Sequence, residues 1–90
     1  MTTAQILVVD DEQNLRTLLE ALLESAGYRV VLANGGEAAL ARAAAETPDL
    51  ALVDLRMPGM DGLTLLEHLL RGLALGVQFP VAGRVVVGRI

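Results

Sequence analysis

Two apolar runs in this chain stop at acids. Ile6-Leu7-Val8-Val9 ends at Asp10-Asp11-Glu12, and Leu50-Ala51-Leu52-Val53 ends at Asp54. Carboxylates brought together oppose one another's ionisation, so such a cluster is costly unless a cation shares it. The cation that suits a few carboxylates, keeps several waters and favours a phosphate co-ligand is Mg²⁺. Beside that ion a carboxylate can attack a phosphoryl group and form an aspartyl phosphate. The ion screens the anionic nucleophile from the anionic phosphate and stabilises charge in the transition state. The plainer reading is that Asp10, Asp11 and Glu12 only favour the dipole of the helix that follows. It explains that triplet as well as a metal does, but not Asp54, which ends an apolar strand and precedes Leu55. Taken together the acids favour the metal site.

The elements that must position them follow from periodicity. Ile6 to Val9 and Leu50 to Val53 are short and wholly apolar, as strands buried on both faces are. Val30 to Ala33 is a third strand candidate. Leu15, Leu18, Leu19, Leu22 and Leu23 keep the spacing of one helical face, and Gly27 stops that helix. Asn34 and Glu37 have the spacing of a capping box, with Asn34 as N-cap of an alanine-rich helix that Pro48 closes. Met57-Pro58-Gly59-Met60-Asp61-Gly62 is turn-rich, and Leu63 to Leu70 reads as a third helix. Strand alternating with helix implies parallel pairing, with function beyond the carboxyl ends of the strands. If the first and third strands are neighbours, their ends lie roughly 5 Å apart, and Asp10, Asp11 and Asp54 converge. In the tail, a fourth strand is expected within Val81 to Val87.

Charge and composition exclude other classes. Ninety residues make one small domain, and the net charge is −4. All eleven acids lie from Asp10 to Glu67, while the seven basic residues are all arginine. An acidic total disfavours direct nucleic-acid binding, which needs basic contacts to phosphate. With no cysteine there is no disulfide or thiolate metal site. No targeting signal and no membrane-length apolar run stand out, so a soluble cytoplasmic protein is expected.

Val8-Val9-Asp10-Asp11-Glu12 and the eleven residues Leu52-Val53-Asp54-Leu55-Arg56-Met57-Pro58-Gly59-Met60-Asp61-Gly62 resemble the two signature stretches of response-regulator receiver domains in two-component signalling. The resemblance runs from about Ala4 to Leu70. It implies an α/β, flavodoxin-like, doubly wound parallel sheet, here incomplete: three βα units plus a candidate fourth strand, in the order 2-1-3(-4). This strand order is characteristic of the family itself, so it follows from the resemblance and is not an independent deduction. The resemblance further implies Asp54 as phosphoacceptor, with Asp11 as a direct Mg²⁺ ligand and Asp10 assisting through water. The backbone carbonyl of Arg56 would be a further ligand, presented by a loop that Pro58 and Gly59 shape. The phosphoryl donor would be a sensor histidine kinase or a histidine phosphotransfer protein, met through first-helix residues such as Leu15, Arg16 and Glu20. The module would not be an enzyme in its own right. Met57 and Met60 read as packing residues, and His68 as a surface residue rather than a donor.

The chain departs from the family pattern in its tail. The family carries a Ser or Thr at the end of its fourth strand and a lysine at the end of its fifth. Here no hydroxyl residue follows Thr64, and there is no lysine at all. Arg84 has a different shape and another place along the chain, so it is not expected to substitute. Residues 1–71 are therefore read as the N-terminal receiver portion and 72–90 as a divergent tail, either from a truncated or frame-altered gene or from a divergent but intact short protein. Marginal stability and self-association through an exposed sheet edge are expected. The competing reading is a receiver remnant that binds a kinase without switching. A Mg²⁺-dependent phosphohydrolase with an aspartate nucleophile is disfavoured, because Arg56 stands where such enzymes carry a second Asp. A nucleotide-binding domain is weaker still, since Gly35-Gly36 is no phosphate-binding motif.

Overall fold

The computed structural model describes residues 3–57, 59, 62–73, 75–81 and 84–89, those from 72 onward by backbone alone. The elements are β1 (Gln5–Val9), α1 (Gln13–Ser25), β2 (Arg29–Ala33), α2 (Gly36–Glu46), β3 (Leu50–Asp54), α3 (Gly62–Leu73), β4 (Leu75–Val81) and β5 (Arg84–Arg89). They form one five-stranded sheet in the order β2-β1-β3-β5-β4. β1 pairs in parallel with β2 and with β3, so the expected α/β class and the 2-1-3 order hold.

The tail differs from expectation. It supplies two strands where one was anticipated, and both pairings of β5 are antiparallel. The reason is chain length. A parallel return needs a crossover of a dozen or more residues. Between paired Val81 and Arg84 there are only two, so the chain must turn back as a hairpin. β4 therefore runs in the same direction as β3, and β5 fills the gap between them. Pro80 lies in β4, the edge strand, which is where a sheet tolerates a residue without an N–H.

Alternation along the strands gives the sheet two unequal faces. Leu7, Val9, Val31, Ala33, Ala51 and Val53 join Ala39 and Ala43 of α2 and Leu65 and Leu69 of α3 in the main core. Leu65 is fully buried and Leu69 nearly so. Their spacing of four puts both on the inward side of α3. Small alanines on α2 let that helix approach the sheet and α3 closely.

The other face carries α1, packed on β1 and β2. Here the sequence expectation needs correction. Leu18 and Leu22, placed by spacing on one helical face with Leu15, Leu19 and Leu23, are 54 % and 56 % exposed, and no residue of α1 is fully buried. Leu15, Leu19 and Leu23 are half-buried against the sheet. Only the side of α1 that meets the sheet is covered, so the leucines on its flank remain open. An apolar groove lined by Ile6, Leu23, Leu50, Ala51 and Leu52 lies on this face.

The helix ends also refine the reading. Gly27, at φ +98°, ends α1: its N–H bonds the Glu24 carbonyl at 3.0 Å and the Tyr28 N–H bonds that of Leu23 at 3.1 Å. This is a Schellman cap, which needs the left-handed residue glycine supplies. The Asn34 capping box does not form. The N-cap of α2 is Gly35, with no side-chain cap bond, because the helix starts one residue later than Asn34 would set it. α2 stops at Glu46, with Thr47 left-handed (φ 45°) and Pro48 buried beyond it.

Candidate acidic site at the carboxyl edge of the sheet

Parallel register brings the acids together. Val9 stands opposite Val53, so the residues that follow, Asp10 and Asp54, leave neighbouring strands at the same edge. The Asp10 N–H donates to the Ala33 carbonyl at 3.2 Å, extending the β1–β2 pairing by one residue. This holds the Asp10 backbone in line with the sheet, and the residue is 2 % exposed. Its Oδ1 accepts the Glu12 N–H at 3.0 Å, which closes the turn into α1. Asp11, the middle residue of that turn, is exposed, and Asp54 is half-buried.

One carboxylate oxygen from each of Asp10, Asp11 and Asp54 lies within 4.8 Å of the others. All three sequence-assigned acids therefore meet in one cluster. Asp54 Oδ1 also accepts the Arg56 N–H at 2.9 Å, which folds the start of the following loop back over β3. Arg56 itself is exposed. Gly59 is left-handed at φ +81°, as a tight turn in this loop requires. Met57 is buried in the core as expected. The assignments to Pro58, Met60 and Asp61 lie outside the described residues. His68 is exposed on α3.

Two residues gain roles that periodicity did not reveal. Arg16 Nη1 donates to the Asp10 carbonyl at 2.7 Å, bracing the acid-bearing turn from the first coil of α1. Asp49 ties the opposite edge: its Oδ2 accepts the Gln5 N–H, and its own N–H donates to the Gln5 carbonyl, each at 2.9 Å. It is an acid with a structural use, far from the pocket along both strands.

A hard-oxygen donor set of this kind is matched to a hard divalent cation. The model of the response regulator receiver domain matches residues 6–81. The chain belongs to that family. Over 65 residues this receiver domain is 46 % identical to the alkaline phosphatase synthesis transcriptional regulatory protein PhoP of Bacillus subtilis, covering 72 % of this chain and 27 % of PhoP. Among solved structures, it is similar to the chemotaxis protein CheY4 of Vibrio cholerae, with TM-score 0.77 and 32 % identity over 79 % of this chain and 59 % of that one. It is also similar to the response regulator TrrA of Thermotoga maritima, solved in complex with Mg²⁺-BeF, with TM-score 0.74 and 38 % identity over 78 % and 61 % of the two chains. TrrA has also been solved in complex with the histidine kinase ThkA. The receiver domain thus spans about a quarter of PhoP and about three-fifths of the solved receiver chains. Among the described residues no helix is long and apolar enough to cross a membrane.

Proposed function

We propose that this receiver domain accepts a phosphoryl group on Asp54, with Mg²⁺ held by Asp10, Asp11, Asp54 and the main-chain carbonyl of Arg56. The observation that carries this reading is the approach of three carboxylates from two adjacent parallel strands to within 4.8 Å. Such a pocket concentrates negative charge where the nucleophile must stay ionised. When bound, Mg²⁺ would offset that charge and draw in phosphoryl oxygens. Asp10 is held by the turn it closes with Glu12, and Arg56 orients the Asp54 carboxylate through its N–H. The donor would be a histidine of a sensor kinase or phosphotransfer protein. The TrrA–ThkA complex supports a kinase as partner class. The module signals rather than turns over a substrate, residues 1–71 being its receiver portion and 72–90 a divergent edge in a cytoplasmic protein.

A second reading has its own support. These 90 residues hold no lysine, and no hydroxyl residue follows Thr64 in them. In that reading it docks a kinase and does not switch.

The test is incubation with acetyl phosphate, with and without Mg²⁺, followed by intact mass. A gain of one phosphoryl group that needs both Mg²⁺ and Asp54, and disappears in D54N, is expected. A folded protein that takes up none would reduce the domain to a binding module.

A further inference from the structure

Alternation sorts the residues of β3. Ala51 and Val53 lie in the main core, so Leu50 and Leu52 belong to the other face, the one that carries α1. Opposed residues of an antiparallel pair share a face. Register therefore sets Leu52, Val86 and Phe79 in one row across β3, β5 and β4, and Leu50, Gly88 and Val77 in the next. α3 packs against β3 and β4 from the core side, and α1 packs on β1 and β2. Among the described elements, none packs on the α1 side of β5 and β4. This open face begins at the apolar groove beside Leu23, where Leu50 and Leu52 are only half-buried. Both rows are uncharged, and a sheet that lies inside an α/β layer structure keeps both faces covered.

We propose that a second copy of this chain covers that face, the two sheets stacking about a two-fold axis. Rows without charge can meet their own image without burying like charges, and such a contact closes at the dimer. The size fits. β3, β5 and β4 hold 5, 6 and 7 residues. At about 4.8 Å between strands and about 3.3 Å per residue, they make a face of about 14 by 20 Å. With the groove beside α1 and the relief of the side chains, two such faces remove about 1,000 Å² from water, where specific interfaces begin. Association through the sheet edge is disfavoured: β4 carries Pro80 and a register irregularity between Leu75 and Val77, and both hinder strand addition. The acids set the direction of stacking. Asp10, Asp11 and Asp54 crowd the carboxyl edge. Strands running antiparallel between the copies put the two acidic clusters at opposite ends of the dimer, where their repulsion is least.

The experiment is sedimentation equilibrium of the unaltered protein, L52E, V86E and L22E, each first checked for folding by circular dichroism. The unaltered protein should pass from one copy to two with a dissociation constant of about 10 µM, as suits a contact of this modest size. L52E and V86E each set a carboxylate in the uncharged row and should weaken the dimer by about tenfold or more. L22E adds the same charge to the exposed flank of α1, off this face, and should leave the dimer unchanged. Methyl NMR of the unaltered protein reads the contact directly. The Leu50 and Leu52 methyl signals should shift with protein concentration and those of Leu22 should not; this decides the matter even where L52E and V86E fail to fold. A folded protein still monomeric at about one hundred times that concentration would overturn the proposal. So would a dimer that folded L52E and V86E leave intact, an equal loss in L22E, or Leu52 methyl signals that ignore concentration. Growth past two copies would overturn it in favour of strand addition at the sheet edge.

Discussion

The Arg16 guanidinium reaches back six residues and bonds the main-chain carbonyl of Asp10 at 2.7 Å. It crosses from the start of α1 to the end of β1, spanning the turn that presents Asp11. Replacing it by Met keeps the aliphatic stem and removes the donor, so R16M isolates this bond. A charge-assisted bond in a half-buried setting contributes about 1–2 kcal/mol, and a urea titration of R16M should show a loss of that order. An unchanged midpoint would mean that the turn holds without the brace.

The acid pocket predicts a stabilising cation. Mg²⁺ at about one hundred times its dissociation constant should add about 2.7 kcal/mol to unfolding, raising the melting temperature by about 10 °C or more. D11N should lose most of that gain. In chelator, D11N should melt above the unaltered protein, because one of three crowded like charges is gone. Melting curves in Mg²⁺ and in chelator check both signs.

The left-handed cap at Gly27 is open space for a Cβ, with nothing within 4 Å. Any cost of G27A is therefore backbone strain and not collision. It should be about 1–2 kcal/mol, visible as a lower thermal midpoint.

Leucines on the two helical layers should differ sharply. Leu65 is fully buried, and L65A should cost about 2–5 kcal/mol, enough to unfold so small a domain at ordinary temperature. Leu22 is 56 % exposed, and L22A should stay within about 0.5 kcal/mol of the unaltered protein. If L22A proves as damaging as L65A, the open face of α1 is covered in solution.

The legible part of this molecule was the part governed by local pattern. Apolar runs ending in acids marked β1 and β3, and strand–helix alternation implied parallel pairing; the adjacency of β1 and β3 that brings Asp10, Asp11 and Asp54 together came from the family resemblance. The unexpected features depend on tertiary partners. Leu18 has the spacing of a core residue, yet spacing says nothing of whether a neighbouring helix covers it. Asn34 has capping chemistry, yet the helix begins at Gly36. The tail reads as weak strand because Gly76, Pro80 and Gly83 break its period, and the direction of β5 follows from a two-residue connection. The row of Leu52, Val86 and Phe79 was hidden for the same reason: distance along the chain conceals the register that sets them side by side.

The bare outer side of α1 has a consequence for how the domain breathes. None of its residues is fully buried, while the sheet and the α2–α3 layer hold the closed core. Native-state hydrogen exchange should therefore resolve two opening events, with α1 amides exchanging through a low-energy local release and the amides of β1, β3 and α3 only on global unfolding. The turn bearing Asp10 and Asp11 lies on the seam between these cooperative units. A cation seated there would clamp the less stable unit to the more stable one, and slowed exchange along α1 would register its arrival.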